Sequence, residues 1–330
     1  MLRRKILLAI ALLSIAGPAI AQDQQAADRH GRVVGGHDAP PNTALWQAQI
    51  FLTVAFTPKD FKDDLKAEKS DPAHAQLLSK MEKFEYTHWC GGVLIDTEWV
   101  LTAAHCYYDA YPPQGTSLKT YYPTSRKIRI GTHDIGPNSS GQVVAITRVV
   151  PHPGYKPQTS AHDIALVHIS PAARLDPAAT QIARVLDPQM KPDTGWNFLA
   201  YGWGKLIARK IGDPVTRGQD GEVEHNPKML QEVQLPWQSQ DVCRKTYPTD
   251  VTDWTICAGV VGGGADTCSG DSGGPLTLTS SDGEKSITYL VGIVVTGKGC
   301  AQPHTPGLYT FVPKYLKWIN DTIRPRRLSR

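Results

Sequence analysis

The segment Asp266-Thr267-Cys268-Ser269-Gly270-Asp271-Ser272-Gly273-Gly274-Pro275 sets a serine between glycines, with an acid just before it and a cysteine four residues upstream. Glycine reaches backbone angles that other residues avoid, so this composition suits a tight loop with exposed NH groups better than a strand or helix interior. Such a loop can present a hydroxyl nucleophile and point two NH donors at a developing oxyanion. A plain surface turn is the other reading, because glycine and serine dominate turns.

A serine hydroxyl is a weak nucleophile at neutral pH and needs a base. The chain offers Leu101-Thr102-Ala103-Ala104-His105-Cys106 and, later, Asp163-Ile164-Ala165-Leu166. With Gly270-Asp271-Ser272-Gly273-Gly274-Pro275, these stretches resemble the catalytic segments of the chymotrypsin/trypsin family of serine proteases. The order His, Asp, Ser is that family's order and differs from those of subtilisins and α/β-hydrolases. The resemblance runs from about Val33 to Ile323. It implies that Ser272 is the nucleophile, that His105 takes and returns its proton, and that Asp163 orients and stabilises the imidazole. It also implies an oxyanion hole from the NH groups of Gly270 and Ser272.

Specificity follows from the same resemblance. Asp266, six residues before Ser272, stands where trypsin-like members carry an aspartate at the bottom of the primary pocket. Gly297 and Gly307 match the small residues that leave the pocket walls open. A carboxylate at the end of an apolar slot favours a long cationic side chain, so cleavage after Arg or Lys is expected. The sequence departs from the family pattern at Val295-Thr296-Gly297, where Ser-Trp-Gly is usual. It departs again at Phe198 and Leu278, where many members have a disulfide and an apolar contact is expected here. Pro306, before Gly307, resembles members without an allosteric sodium site.

Six cysteines allow 15 pairings, and spacing does not choose among them. The resemblance implies Cys90–Cys106, Cys243–Cys257 and Cys268–Cys300. Arg32-Val33-Val34-Gly35-Gly36 looks like the family's activation site. Cleavage after Arg32 would free the Val33 amine to bury itself against Asp271; a merely trimmed linker is the alternative.

The elements that must position these residues read as short strands with Gly/Pro punctuation: Gly92 to Leu101, Gln142 to Val150, Ile164 to Ile169, Trp196 to Tyr201 and Tyr289 to Val295. That pattern favours an all-β sandwich or barrel. The resemblance sharpens it to two six-stranded antiparallel β-barrels with the active site between them and a C-terminal α-helix. Barrel 1 is expected at about 46–175 and barrel 2 at about 192–311. Val312, Tyr315, Leu316, Ile319 and Ile323 fall on one helical face, which predicts a closing helix over 312–323. A charged insertion at 57–87 carries a helix start at Asp71-Pro72, with Leu77, Leu78, Met81 and Phe84 at helical spacing. It reads either as a tolerated surface insertion or as a gate or partner site. A second long segment, Lys205 to Lys228, holds Arg209, Lys210 and Arg217 and is a candidate for self-cleavage.

The ends bound the compartment. Arg3, Arg4 and Lys5, an apolar run from Ile6 to Ile15, and Ala19-Ile20-Ala21 read as a signal peptide over 1–21, followed by a propeptide over 22–32 and the peptidase domain over 33–330. Secretion to an extracellular or periplasmic space suits a disulfide framework. Residues 1–32 hold five basic and two acidic side chains, so the net charge of +4 falls to +1 for the rest, which gives no support for nucleic-acid binding. No metal constellation or cofactor motif stands out, and no membrane contact is expected after signal removal. The reading is therefore a secreted, monomeric serine endopeptidase made as a zymogen. Its partners are Arg/Lys-containing substrates and protein inhibitors. A non-catalytic binding protein on the same fold is the alternative.

Overall fold

Burial alternates along the strands with a period of two. In Gln142–Pro151, Val144 and Ile146 are buried while Val143, Ala145 and Thr147 face out. The computed structural model describes residues 34–53, 81–108, 125–170, 174–193, 195–207, 226–281 and 286–324. Residues 1–33, which include the expected signal peptide, propeptide and activation site, residues 57–80 of the charged insertion, residues 208–225 of the second long segment and the tail 325–330 lie outside them.

Fourteen strands are described: β1 (His37–Asp38), β2 (Gln47–Leu52), β3 (His88–Asp96), β4 (Trp99–Thr102), β5 (Arg126–Ile130), β6 (Gln142–Pro151), β7 (Ala165–Ile169), β8 (Arg184–Val185), β9 (Asn197–Gly202), β10 (Gln231–Gln238), β11 (Thr255–Ala258), β12 (Pro275–Ser281), β13 (Ser286–Thr296) and β14 (Gly307–Phe311). The first barrel closes in the order β2-β3-β4-β7-β6-β5. The second runs β10-β11-β14-β13-β12-β9 and closes through a β9–β10 pairing. All pairings inside both barrels are antiparallel. β1 and β8 attach to β10 and β13 from outside the second ring. The apolar stretch Gly92 to Leu101 is a hairpin of two strands, because it turns at Thr97-Glu98.

Each barrel fills its own interior. Ile50, Val93, Leu101, Ile128, Val144 and Leu166 belong to the first core, and Phe198, Val233, Leu235, Leu276, Val291 and Tyr309 to the second. Leu278 packs against the second core, which also holds Phe198. The closing segment starts as a 3-10 turn at Val312–Tyr315, with Pro313 in its first turn, and becomes helical at Leu316–Ile323. Its buried residues Val312, Tyr315 and Ile319 lie in the cluster that holds the first barrel's core and that also takes in Leu290 and Ile293 of β13, and the Tyr315 hydroxyl meets His162 Nδ1, before β7, at 3.0 Å. This helix therefore fastens one barrel to the other.

The expected helix start at Asp71-Pro72, with Leu77 and Leu78, lies outside the described residues; of the expected apolar positions, Phe84 is helical and Met81 is not. Met81 precedes a short helix, α1 (Lys83–Thr87), which begins only where the Glu82 NH meets the Glu85 carboxylate at 2.6 Å. Phe84 turns inward and is buried in the first core.

Candidate active site

His105 opens a one-turn helix, α2 (His105–Tyr108), directly after β4 and the fully buried Ala103-Ala104. Asp163 precedes β7, which pairs with β4, so adjacent strands deliver both residues to one barrel rim. Asp163 is 1% exposed. Its Oδ1 accepts the His105 backbone NH at 2.9 Å, and its Oδ2 meets His105 Nδ1 at 2.6 Å. An ionised carboxylate only accepts, so Nδ1 carries the ring proton and Nε2 of the neutral imidazole is left as the acceptor. Thr310 Oγ1 donates to the Asp163 carbonyl at 2.7 Å, a link from the second barrel to the first that the sequence alone does not signal.

Ser272 reaches the same rim from the second barrel. Its carbonyl accepts the Gly91 NH of β3 at 2.8 Å, and the Gly273 NH donates to the Val294 carbonyl of β13 at 2.8 Å. Gly273 has φ of +74°, and a Cβ there would lie 2.1 Å from Thr102 Oγ1 and 2.9 Å from the Ala103 nitrogen. Only glycine lets the serine loop press onto the stretch that leads into His105. Among the described residues, the NH groups of Gly270 and Ser272 donate to no protein acceptor. The Gly270 carbonyl is tied to His88 Nε2 at 2.9 Å.

Asp271 is completely buried, and its oxygens accept NH groups from Gly204 at 2.7 Å and Cys268 at 2.8 Å. A Cβ at Gly202 would sit 1.9 Å from its Oδ1, and one at Gly204 2.5 Å from its carboxylate. Burial pushes its pKa up to about 6. Asp266 is 2% exposed; Thr267 and Ala301 donate backbone NH groups to it at 2.8 and 3.1 Å. Burial pushes its pKa up to about 7. A Cβ at Gly307 would stand 3.0 Å from one of its oxygens and one at Gly297 3.9 Å from the other. Three aspartates, Asp266 and Asp271 ahead of the serine and Asp163 on the histidine, thus sit in three different environments.

The three disulfides link Cys90–Cys106, Cys243–Cys257 and Cys268–Cys300. The first holds α2 and His105 to β3; the last joins the serine loop to the segment whose Ala301 NH contacts Asp266. Loops of this length each remove about 3 kcal/mol of unfolded-chain entropy. Cys90, His105 and Cys106 lie close enough to share a metal, but both sulfurs are consumed in one disulfide.

A family model described as Trypsin matches residues 64–319. The chain belongs to the trypsin family. It is 33% identical to Serine protease 1 of Rattus norvegicus over 277 residues, covering 84% of this chain and 96% of the relative. It is 32% identical to Trypsin of Sus scrofa over 238 residues, with 72% and 86% covered, and 35% identical to Kallikrein-2 of Homo sapiens over 255 residues, with 72% and 82% covered. As a trypsin-family serine endopeptidase it acts on peptides or proteins. Against the family pattern, Val295 is buried and Thr296 exposed at the end of β13. Asp163 draws on Thr310 and on both nitrogens of His105 that face it. His162, next to Asp163, points elsewhere: its Nδ1 meets the Tyr315 hydroxyl at 3.0 Å and its ring stacks on His152. His88, Thr310, Gly202 and Gly204 are site residues that no motif announces; they act across long sequence separations.

Proposed function

We propose that this protein is a secreted trypsin-like endopeptidase that cleaves after Arg or Lys through an acyl-enzyme and is made as a zymogen. His105 Nε2 takes the Ser272 proton as the hydroxyl attacks the scissile carbonyl, then returns it to the leaving amine. The Gly270 and Ser272 NH groups hold the oxyanion, and losing one such donor typically costs about 3 kcal/mol in the transition state. Asp163 keeps the imidazole in the tautomer that can accept. The observation that carries this reading is the Asp163 carboxylate, both of whose oxygens are engaged by His105. Three disulfides suit an oxidising compartment, and no described helix is long and apolar enough to cross a membrane.

Asp266 is the acid that would meet a cationic side chain, between Gly297 and Gly307. For activation, cleavage after Arg32 releases the Val33 amine. The next residue supports this route: the Val34 carbonyl accepts the Asp266 NH at 3.0 Å, and Val34 is buried with Cys268, Cys300 and Ala301. Cys268 in turn donates to Asp271. Arg32 fits the proposed specificity, so the enzyme can activate its own precursor.

An active-site-directed serine reagent tests the catalytic part. In protein processed to begin at Val33, it should label Ser272, and labelling should vanish in His105→Ala. Absence of labelling in correctly processed protein would favour a non-catalytic binding role.

Activation also has a pH signature. An aspartate titrates near 3.9 in the unfolded chain, and Asp271 titrates at about 6 in the fold. Its folded pKa is raised, so its stabilising contribution is full below the unfolded value and is lost as pH rises through 6. That loss is about 3 kcal/mol for the precursor. An ammonium group placed against Asp271 removes it. Thermal midpoints of Ser272→Ala protein, uncleaved and cleaved after Arg32, should therefore diverge from pH 4 to 7 in favour of the cleaved form. Parallel pH curves would exclude this role for Asp271; Asp266 is common to both forms and cancels.

A further inference from the structure

The hydrogen bond from His88 to the Gly270 carbonyl is the inner end of a longer chain. His88, at the start of β3, is buried. Its Nδ1 lies 3.3 Å from Nε2 of Gln49 on β2, a side chain that is 1% exposed. Gln49 Oε1 accepts from Arg129 Nη1 at 2.9 Å, and the same Nη1 donates to the Ile135 carbonyl at 3.0 Å. Gln49 and Arg129 are direct cross-strand partners on β2 and β5, so the barrel's register fixes their meeting.

The direction of every proton in this chain is forced from its outer end. A guanidinium only donates, so the amide oxygen of Gln49 must face Arg129 and its NH₂ must face His88. That NH₂ only donates, so His88 Nδ1 must accept. The neutral ring then carries its proton on Nε2, where it donates to Gly270. The opposite tautomer would set a lone pair against the Gly270 carbonyl oxygen. Burial lowers the His88 pKa to about 4, which keeps the ring neutral and makes the tautomer the only variable.

Gly270 is the residue whose orientation matters most here. Its φ is +101°, a region that other residues rarely enter, and a Cβ there would lie 3.2 Å from His88 Cδ2 and 3.1 Å from the Gly204 Cα. A glycine so placed is free to pivot unless its carbonyl is fastened. We propose that Gln49 and Arg129 are positioning residues for the oxyanion hole: they hold His88 in its Nε2–H tautomer, so that His88 fastens the Gly270 carbonyl and the Gly270 NH stays aimed at the reacting carbonyl. This rests on the reading of Gly270 and Ser272 as the oxyanion donors.

The experiment uses the processed enzyme and two small probes. A peptide boronate ending in arginine engages both the primary pocket and the oxyanion hole; benzamidine engages the pocket alone. Gln49→Met should lower kcat about tenfold and weaken the boronate by a similar factor, with KM and benzamidine affinity unchanged. Gln49→Met should have no further effect in a His88→Phe background, because the chain is then already broken. Imidazole ¹⁵N spectra give a readout that needs no variant to fold: His88 in the unchanged enzyme should show a protonated Nε2 and a bare Nδ1. A proton on Nδ1, or equal loss of boronate and benzamidine binding in Gln49→Met, would overturn the proposal. An unchanged enzyme that neither turns over substrate nor binds the boronate would instead overturn the catalytic reading itself.

Discussion

Replacing Ser272 with alanine should lower kcat by about 10⁶-fold while leaving the fold in place. The loss is large because nucleophile and base act as a unit: without the hydroxyl, His105 has no proton to take, and the acyl-enzyme cannot form. The fold should survive because the loop is held by backbone groups. The Ser272 carbonyl bonds to Gly91, the Gly273 NH to Val294 and the Gly274 NH to the Asp271 carbonyl, none through the hydroxyl. A residual rate about 10³-fold above the uncatalysed reaction should persist from the NH donors and from binding. Single-turnover measurement on an arginyl peptide, after cleavage at Arg32 by an added protease, reads the effect. Retention of more than a few per cent of activity would mean that another group attacks.

The second large effect is on selectivity. Asp266→Ser should reduce kcat/KM for Arg and Lys substrates by about 10² to 10⁴-fold, the cost of leaving a buried cation without its partner. Substrates with an apolar side chain at that position should be unaffected or improved. The same variant should gain stability. Asp266 titrates at about 7 in the fold, well above the unfolded value, so its favourable contribution is present at low pH and lost as pH rises through 7. The serine variant lacks that loss and should melt higher than the unchanged protein above pH 7, with the gap closing toward pH 4. A uniform fall in kcat/KM across all side chains would mean that Asp266 shapes the loop and does not read the substrate.

How much of this is legible in the sequence depends on the range of each interaction. The strands announce themselves as short apolar, β-branched runs between glycines and prolines, as in β6, and the closing helix through the spacing of Val312, Tyr315 and Ile319. Motif order names the serine, histidine and aspartate segments, and register names Asp266. What composition cannot show is which distant group completes each one. His88 and Gly270 are 182 positions apart, and Thr310 and Asp163 are 147 apart. Gly202 and Gly204 look like ordinary loop glycines until the Asp271 carboxylate is found against them. Met81 shows the opposite failure: it fits an apolar helical spacing, yet the helix begins after it, at the Glu82–Glu85 box. The serine missing at Val295 is a similar case. A family pattern expects a hydroxyl there to support Asp163, whereas in this chain Thr310 contacts the Asp163 backbone from the neighbouring strand β14.

The most direct test of the central claim is a cleavage profile on a mixed peptide library, comparing Val33-started enzyme with its Ser272→Ala and Asp266→Ser forms. The account predicts cuts after Arg and Lys that disappear with the first change and lose their basic preference with the second. Cuts after aromatic or small residues by the unchanged enzyme would contradict the assignment of Asp266 as the specificity residue. Cuts that persist in Ser272→Ala would contradict the mechanism.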